Sequence, residues 1–301
     1  MTDILDKITD SIGNTPVLRL HRLSESCGCL TPILAKLEFL SPGGSVKDRA
    51  ALAMLKGALE RGQLSPGGTV ISASAGNAGL SLAMVCAALG LNCIIVLPDT
   101  VPELRRKHLL RYGAKVVAVP AETCSSTVET LKKTHPGAFV PDQFRNEDNA
   151  LAHRKTGEEL LKQVGTIDYL VAGVGSGGTI TGCAEVIKMY CPDCRIIAVE
   201  PYASPVLSGG FPGGHPLSGI GPGFVPDVLN TYILDEVIRV KTPDSLHLMG
   251  QLAALEGLLC GPSSGAALSA AVTVARRPEA QGKTVVTVLP DIGERYLNEE
   301  F

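Results

Sequence analysis

The 301-residue sequence has no tryptophan, and its aromatic residues amount to only 4%. Few rings are left on which single-stranded bases stack. Neither sign of charge is in excess: 27 Lys+Arg face 30 Asp+Glu, a formal net charge of −3, and the pI is near 6.1. Without a basic footprint, no nucleic-acid partner is expected. Long apolar runs are missing too. The longest, Leu258 to Ala275, is broken by Gly261-Pro262-Ser263-Ser264-Gly265, so no membrane span is expected. The stretch Met1-Thr2-Asp3-Ile4-Leu5-Asp6-Lys7 has no apolar core behind a basic start, which argues against a signal peptide. No repeat of fixed period and no low-complexity tract occurs.

What is present is a 45% hydrophobic chain with 33 glycines, the balance of a compact α/β protein, and its length suggests about two domains. The nine cysteines are an odd number for a disulfide framework. Cys86, Cys93, Cys183 and Cys260 sit in apolar runs, as buried thiols of a reducing, cytoplasmic compartment do. Cys191-Pro192-Asp193-Cys194 has redox spacing but falls at a helix-to-strand connection, and no second pair completes a zinc site, so no metal is expected.

Short apolar runs alternate with segments of helical period. Strands are expected at Ile33 to Phe39, Thr69 to Ser72, Cys93 to Leu97, Lys115 to Val119, Tyr169 to Ala172, Arg195 to Glu200, Glu236 to Val240 and Thr284 to Leu289. A turn followed by a further short strand is expected within Ser11 to Leu20. Helices lie between most of them, including Val46 to Arg61, Ala78 to Leu89, Gly178 to Tyr190 and Ser263 to Ala275. This alternation indicates mostly parallel sheets covered by helices. The polar stretch Gln143-Phe144-Arg145-Asn146 marks a crossing between domains. The Gly-, Pro- and Ser-rich segment 203–230 is a loop long enough to be functional.

Lys47 lies in the first turn of a helix, after Pro42-Gly43-Gly44-Ser45. The helix N-terminus disfavours a cation, and together with burial it lowers an amine's pKa, as carbonyl chemistry requires. Taken alone, Lys47 is better read as one of the 27 Lys+Arg on a solvated face, since perturbed lysines are the minority. Gly173-Val174-Gly175-Ser176-Gly177-Gly178-Thr179 follows a strand and opens a helix, an arrangement that closes backbone N–H groups around an anion. Two ligands compete for it. Gly173, Gly175 and Gly178 satisfy G-x-G-x-x-G, and Glu200 follows Gly178 by 22 residues, near the place of a ribose-binding acid. The other ligand is a single phosphate, with Ser176 and Thr179 as hydroxyl donors. Ser74-Ala75-Gly76-Asn77-Ala78-Gly79 also joins a strand to a helix and suits a carboxylate, although Asn77 is equally well explained as an N-cap. A serine N-cap likewise explains Ser263.

Taken together, these pieces resemble the cysteine synthase (O-acetylserine sulfhydrylase) and cystathionine beta-synthase family of fold-type II pyridoxal-phosphate enzymes. The resemblance runs over nearly the whole chain. It rests on Ile12-Gly13-Asn14-Thr15-Pro16, Ser45-Val46-Lys47-Asp48-Arg49, Gly175 to Gly182, Gly219 to Pro226, Ser263-Ser264-Gly265 and Gly293-Glu294-Arg295-Tyr296-Leu297. It implies a two-domain α/β fold: residues 1–39 and 145–301 would form a larger phosphate-binding domain, and residues 40–144 a smaller, mobile one.

By that resemblance Lys47 forms the Schiff base with pyridoxal 5'-phosphate and later removes the Cα proton. Gly175, Ser176, Gly177, Gly178 and Thr179 hold the phosphate, Asn77 meets the ring hydroxyl and Ser263 the pyridine nitrogen. Ser74, Ala75, Gly76, Asn77 and Ala78, with Gln143 and Gly219, bind the substrate. The dinucleotide reading explains one glycine stretch and Glu200, but neither Lys47 nor Asn77 nor Ser263. The implied reaction is β-replacement on an activated serine by sulfide or a thiol, through an α-aminoacrylate, in a homodimer. The rivals are β-elimination to pyruvate and ammonia, and an inactive homologue whose cleft binds a partner protein's tail. The family usually has Thr-Ser-Gly-Asn-Thr-Gly in the carboxylate loop, so Ala75 and Ala78 here lack two hydroxyls.

Overall fold

The computed structural model describes residues 4–298. Met1, Thr2 and Asp3 of the N-terminal stretch discussed above lie outside the described residues. The chain begins with β1 (Val17–Leu20), α1 (His21–Ser26), β2 (Ile33–Leu37) and α2 (Lys47–Glu60). A compact series follows: β3 (Thr69–Ala73), α3 (Asn77–Leu89), β4 (Asn92–Pro98), α4 (Glu103–Arg111), β5 (Lys115–Val119) and α5 (Cys124–Thr134). The second half runs through α6 (Asp148–Val164), β6 (Tyr169–Gly173), α7 (Gly178–Tyr190), β7 (Arg195–Pro201) and β8 (Glu236–Val240). It ends with α8 (Thr242–Glu256), α9 (Pro262–Ala275) and β9 (Val285–Leu289).

The strands form two sheets. One is six-stranded, in the order β1-β2-β9-β6-β7-β8, and the other is three-stranded, β3-β4-β5. All pairings are parallel except β1 with β2. Strands covered on both faces read as continuous apolar runs, and β9 (Val-Val-Thr-Val-Leu) is buried at every position. On the large sheet one core packs beneath α1, α8 and α9, and another beneath α6 and α7. The small sheet has its own two cores. Helices α3 and α8 end at glycines in the left-handed region, Gly90 (φ 68°) and Gly257 (φ 70°), where a Cβ is costly. Among the described residues no helix is long and apolar enough to cross a membrane.

The strands and helices fall where the sequence places them, with two differences. The first is α1, a six-residue helix with only Leu23 and Ser24 buried, too short for a periodic signal. The second is the antiparallel β1. Its connection to β2 turns back at Gly28 (φ 63°) instead of crossing over the sheet as a parallel connection must.

Helix α2 packs on both α3 and α6 and so ties the two sheets together. A buried ion cluster fixes it. Arg49 donates to both Glu38 oxygens at 2.7 and 2.8 Å and to both Glu159 oxygens at 2.8 and 2.7 Å. Lys36, fully buried, reaches Glu159 at 2.7 Å and the Thr15 carbonyl at 2.6 Å. Fork-to-fork pairing fixes geometry as well as charge, and it sits two residues from Lys47.

Candidate active site

Lys47 is the first residue of α2, and its Nζ lies 3.5 Å from Ser176 Oγ. Burial lowers its amine to about 8, partly offset by the Asp291 carboxylate. The turn before it is pinned by Asp48, which accepts from Gly43 N at 2.7 Å and Ser81 Oγ at 2.5 Å. Burial lifts the Asp48 carboxyl to about 6 despite these donors.

Opposite Lys47, β6 runs into the glycine turn and α7. Close packing accounts for these glycines. A Cβ on Gly175 would stand 2.3 Å from the Gly219 carbonyl, and one on Gly178 would stand 2.2 Å from Asn149 Oδ1. Gly177 has φ 84°. With no side chains in the way, the first N–H groups of α7 are left without backbone partners, facing the cleft with the helix field behind them. Asn149 Nδ2 orients the turn, donating to Ser176 Oγ at 2.9 Å and to the Gln143 carbonyl at 2.7 Å. Thr179 Oγ1 is 3.3 Å from His153 Nε2. Burial, then Arg49 and Lys47, holds that histidine well below its usual pKa and hence neutral.

The third wall is formed by α3, α9 and the segment after β9. Asn77 Nδ2 donates to Asp291 Oδ2 at 2.7 Å, and its Oδ1 accepts from Arg295. Tyr296 donates to Asp291, and Ser263 Oγ donates to Asp291 Oδ1 at 3.4 Å. The two N-cap readings do not hold. Gly76 caps α3 and Gly261 caps α9, which leaves Asn77 and Ser263 free to point into the cleft.

Lys47, Asn77, Gly175, Ser176, Gly177, Thr179, Gly219 and Ser263 line one cleft. Gly178 packs behind it. Ser74, Ala75, Gly76 and Ala78 form the turn before α3 and its first residues, where Ser74 Oγ accepts from Gly79 N at 2.9 Å. Gln143 meets the site through its carbonyl. Glu200 is committed elsewhere: it accepts from Leu207 N, Ser208 N and Ser208 Oγ, which anchors the long loop and leaves nothing for a ribose. A roomier depression at the sheet edge, lined by Arg19, Thr31, Gln163 and Lys283, gathers none of these residues.

Asp291, Tyr296, Arg295, Asn149 and His153 were not singled out from the sequence as site residues. Asp291 follows β9 as Ser74 follows β3 and the glycine turn follows β6. The carboxyl ends of parallel strands are the signal that would have found it.

The donor set fits pyridoxal phosphate: α7 N–H groups and two hydroxyls for a phosphate, a low-pKa amine for an aldehyde, and Asn77 and Ser263 for ring heteroatoms. Residues 8–291 match the family described as pyridoxal-phosphate dependent enzyme. A cysteine synthase of Staphylococcus aureus (strain Mu50 / ATCC 700699) is 45% identical over 300 residues, 98% of this chain and 96% of its own. The crystal structure of cysteine synthase (OASS) from Entamoeba histolytica superimposes with TM-score 0.96 at 37% identity, covering 99% of this chain and 90% of that one. A hydrogen sulfide-producing enzyme from Fusobacterium nucleatum gives TM-score 0.94 at 34% identity over 99% of both chains. An amine and an anion-binding helix terminus thus face one cleft in a chain that belongs to the cysteine synthase family of pyridoxal-phosphate-dependent enzymes.

Proposed function

We propose that this protein makes cysteine, or a related thioether amino acid, by replacing the β-substituent of an activated L-serine such as O-acetylserine with sulfide or a thiol. The observation that carries the reading is Lys47: an amine lowered to about 8, 3.5 Å from the hydroxyl of the anion-binding turn. When bound, pyridoxal phosphate supplies the electron sink that loosens bonds at the substrate Cα. Lys47 holds the cofactor through its amine, then takes the Cα proton and returns it. Ser176, Thr179 and the N–H groups of residues 175–179 hold the phosphate. Asn77 and Ser263 orient the ring. The turn Ser74 to Ala78, with Gln143 and Gly219, receives the substrate.

The smaller unit, residues 40–144, moves to close the cleft over the substrate, and the enzyme works as a cytoplasmic homodimer. Solution mass tests the dimer, and small-angle X-ray scattering with and without substrate tests the closure. For the activity, purified enzyme is given O-acetylserine and sulfide, and cysteine and pyruvate are measured. Cysteine in excess is the expected result. Pyruvate in large excess would make the protein a β-eliminating enzyme instead. Ala75→Ser with Ala78→Thr should lower KM for the donor roughly tenfold, because a hydrogen bond to a carboxylate contributes about 1.5–3 kcal/mol. An unchanged KM would remove the loop from carboxylate binding.

A further inference from the structure

Asn149 sits in the first turn of α6 and is 1% exposed. The reading above gives it no contact with cofactor or substrate. Its amide has one possible orientation. The nitrogen Nδ2 lies 2.7 Å from the Gln143 carbonyl and 2.9 Å from Ser176 Oγ. A carbonyl oxygen only accepts, so the NH2 must face Gln143. Both of its hydrogens are then committed, one to that carbonyl and one to Ser176. Gly178 makes room for this arrangement. A Cβ there would stand 2.2 Å from Asn149 Oδ1, so this glycine of the turn accommodates the amide behind it.

Ser176 is fixed in consequence. Its oxygen accepts from Asn149, and a hydroxyl has a single hydrogen to place. That hydrogen cannot return to a donor, so it points into the cleft that Ser176 lines. The other polar neighbour, the Lys47 amine at 3.5 Å, donates while protonated and is taken up by the cofactor in the proposed reaction. We infer that Asn149 is a positioning residue for the cofactor's phosphate: it holds Ser176 as a hydrogen-bond donor aimed at that anion.

This role differs from general bracing. A brace would hold the whole turn, and its loss would weaken every contact there. Asn149 acts through one hydroxyl, so its effect must vanish when that hydroxyl is gone and must be confined to ligands that carry a phosphate. Donors already aimed at a charge need no reorientation when the charge arrives. Gln143, which supplies the anchoring carbonyl, is itself held in place. The preceding Asp142 lies in the left-handed region at φ 42°, and its Oδ1 accepts from Phe144 N at 3.3 Å. The inference rests on the proposed function, in that the phosphate is taken to sit at residues 175–179.

The test compares two ligands of the cofactor-free chain, pyridoxal phosphate and pyridoxal, by visible absorbance on binding. The parent should bind the phosphorylated form more tightly. Asn149→Ala should lower that preference roughly fivefold, the loss expected of one hydrogen bond, and leave pyridoxal affinity within about twofold. Ser176→Ala should lower the preference at least as much. Adding Asn149→Ala to Ser176→Ala should change it by less than about twofold more. An equal loss for both ligands, or a further loss of the same size in the Ser176→Ala background, overturns the inference in favour of a brace. Should Asn149→Ala fail to fold, Asn149→Ser, too short to reach Ser176 and Gln143 together, carries the same expectations. A parent that binds neither ligand overturns the proposed function and the inference with it. One that binds both equally overturns the placement of the phosphate. A parent that prefers pyridoxal phosphate, with Asn149→Ala keeping the full preference, overturns the positioning role alone.

Discussion

Lys47 is a charge held where water is scarce, and that has a measurable consequence for the cofactor-free protein. Its pKa falls from 10.5 to about 8 on folding. Between those values the unfolded chain carries a proton that the folded chain does not, so stability rises with pH across that window. The gain is at most about 3 kcal/mol. Urea unfolding at about pH 7.5 and about pH 10 should register it, and Lys47→Met should lose most of the pH dependence; equal slopes in parent and variant would contradict the assignment. At this scale the sequence was informative where a residue type looked out of place, such as a lysine opening a helix or four glycines in seven residues. It was silent on Asp291 and Asn149. A lone Asp or Asn has no local oddity, and each becomes part of the site only through partners as distant in sequence as Asn77 and Ser176.

Among the elements, the glycine turn between β6 and α7 carries the sharpest steric demand. Gly175→Ala would drive a methyl group to 2.3 Å from the Gly219 carbonyl. Backbone cannot yield as a side-chain tip does, so the turn must shift. Affinity of the cofactor-free chain for pyridoxal phosphate, followed by absorbance, should fall roughly tenfold or more, the equivalent of about 1.4 kcal/mol. Gly250→Ala, on α8 with nothing within 4 Å, serves as the control and should stabilise by about 0.5–1 kcal/mol. Elements with continuous apolar runs, such as β4, β6 and β9, were legible because burial on both faces leaves that mark. Helix α1 and the reversed β1 were not, because tertiary contacts decide them. Leu23 N donates to Glu256 on α8 at 2.8 Å, a partner that no local window contains.

For the whole molecule, the joint between the two sheets is ionic. Burial raises the Glu159 carboxyl, but Arg49 and Lys36 outweigh it and bring it down to about 2 from 4.5. A depressed folded pKa contributes stability that is present above about pH 4.5 and is lost as the pH falls toward 2. Glu159→Gln should therefore cost about 3 kcal/mol near neutral pH and flatten the acid limb of the stability profile. An unaltered acid limb would place the joint elsewhere. Strand order has a consequence for synthesis as well. Strands β3, β4 and β5 are consecutive in the chain, and the free edge of β3 bridges Phe139, so the small sheet has every partner once residue 139 has left the ribosome. The large sheet must wait, because its middle position, between β2 and β6, is filled by the last strand, Val285–Leu289. Domains fold as units while the chain emerges. The chain should thus emerge with one lobe built and the other open along its centre, and a cofactor can find its complete seat only after residues 285–289 have closed that gap.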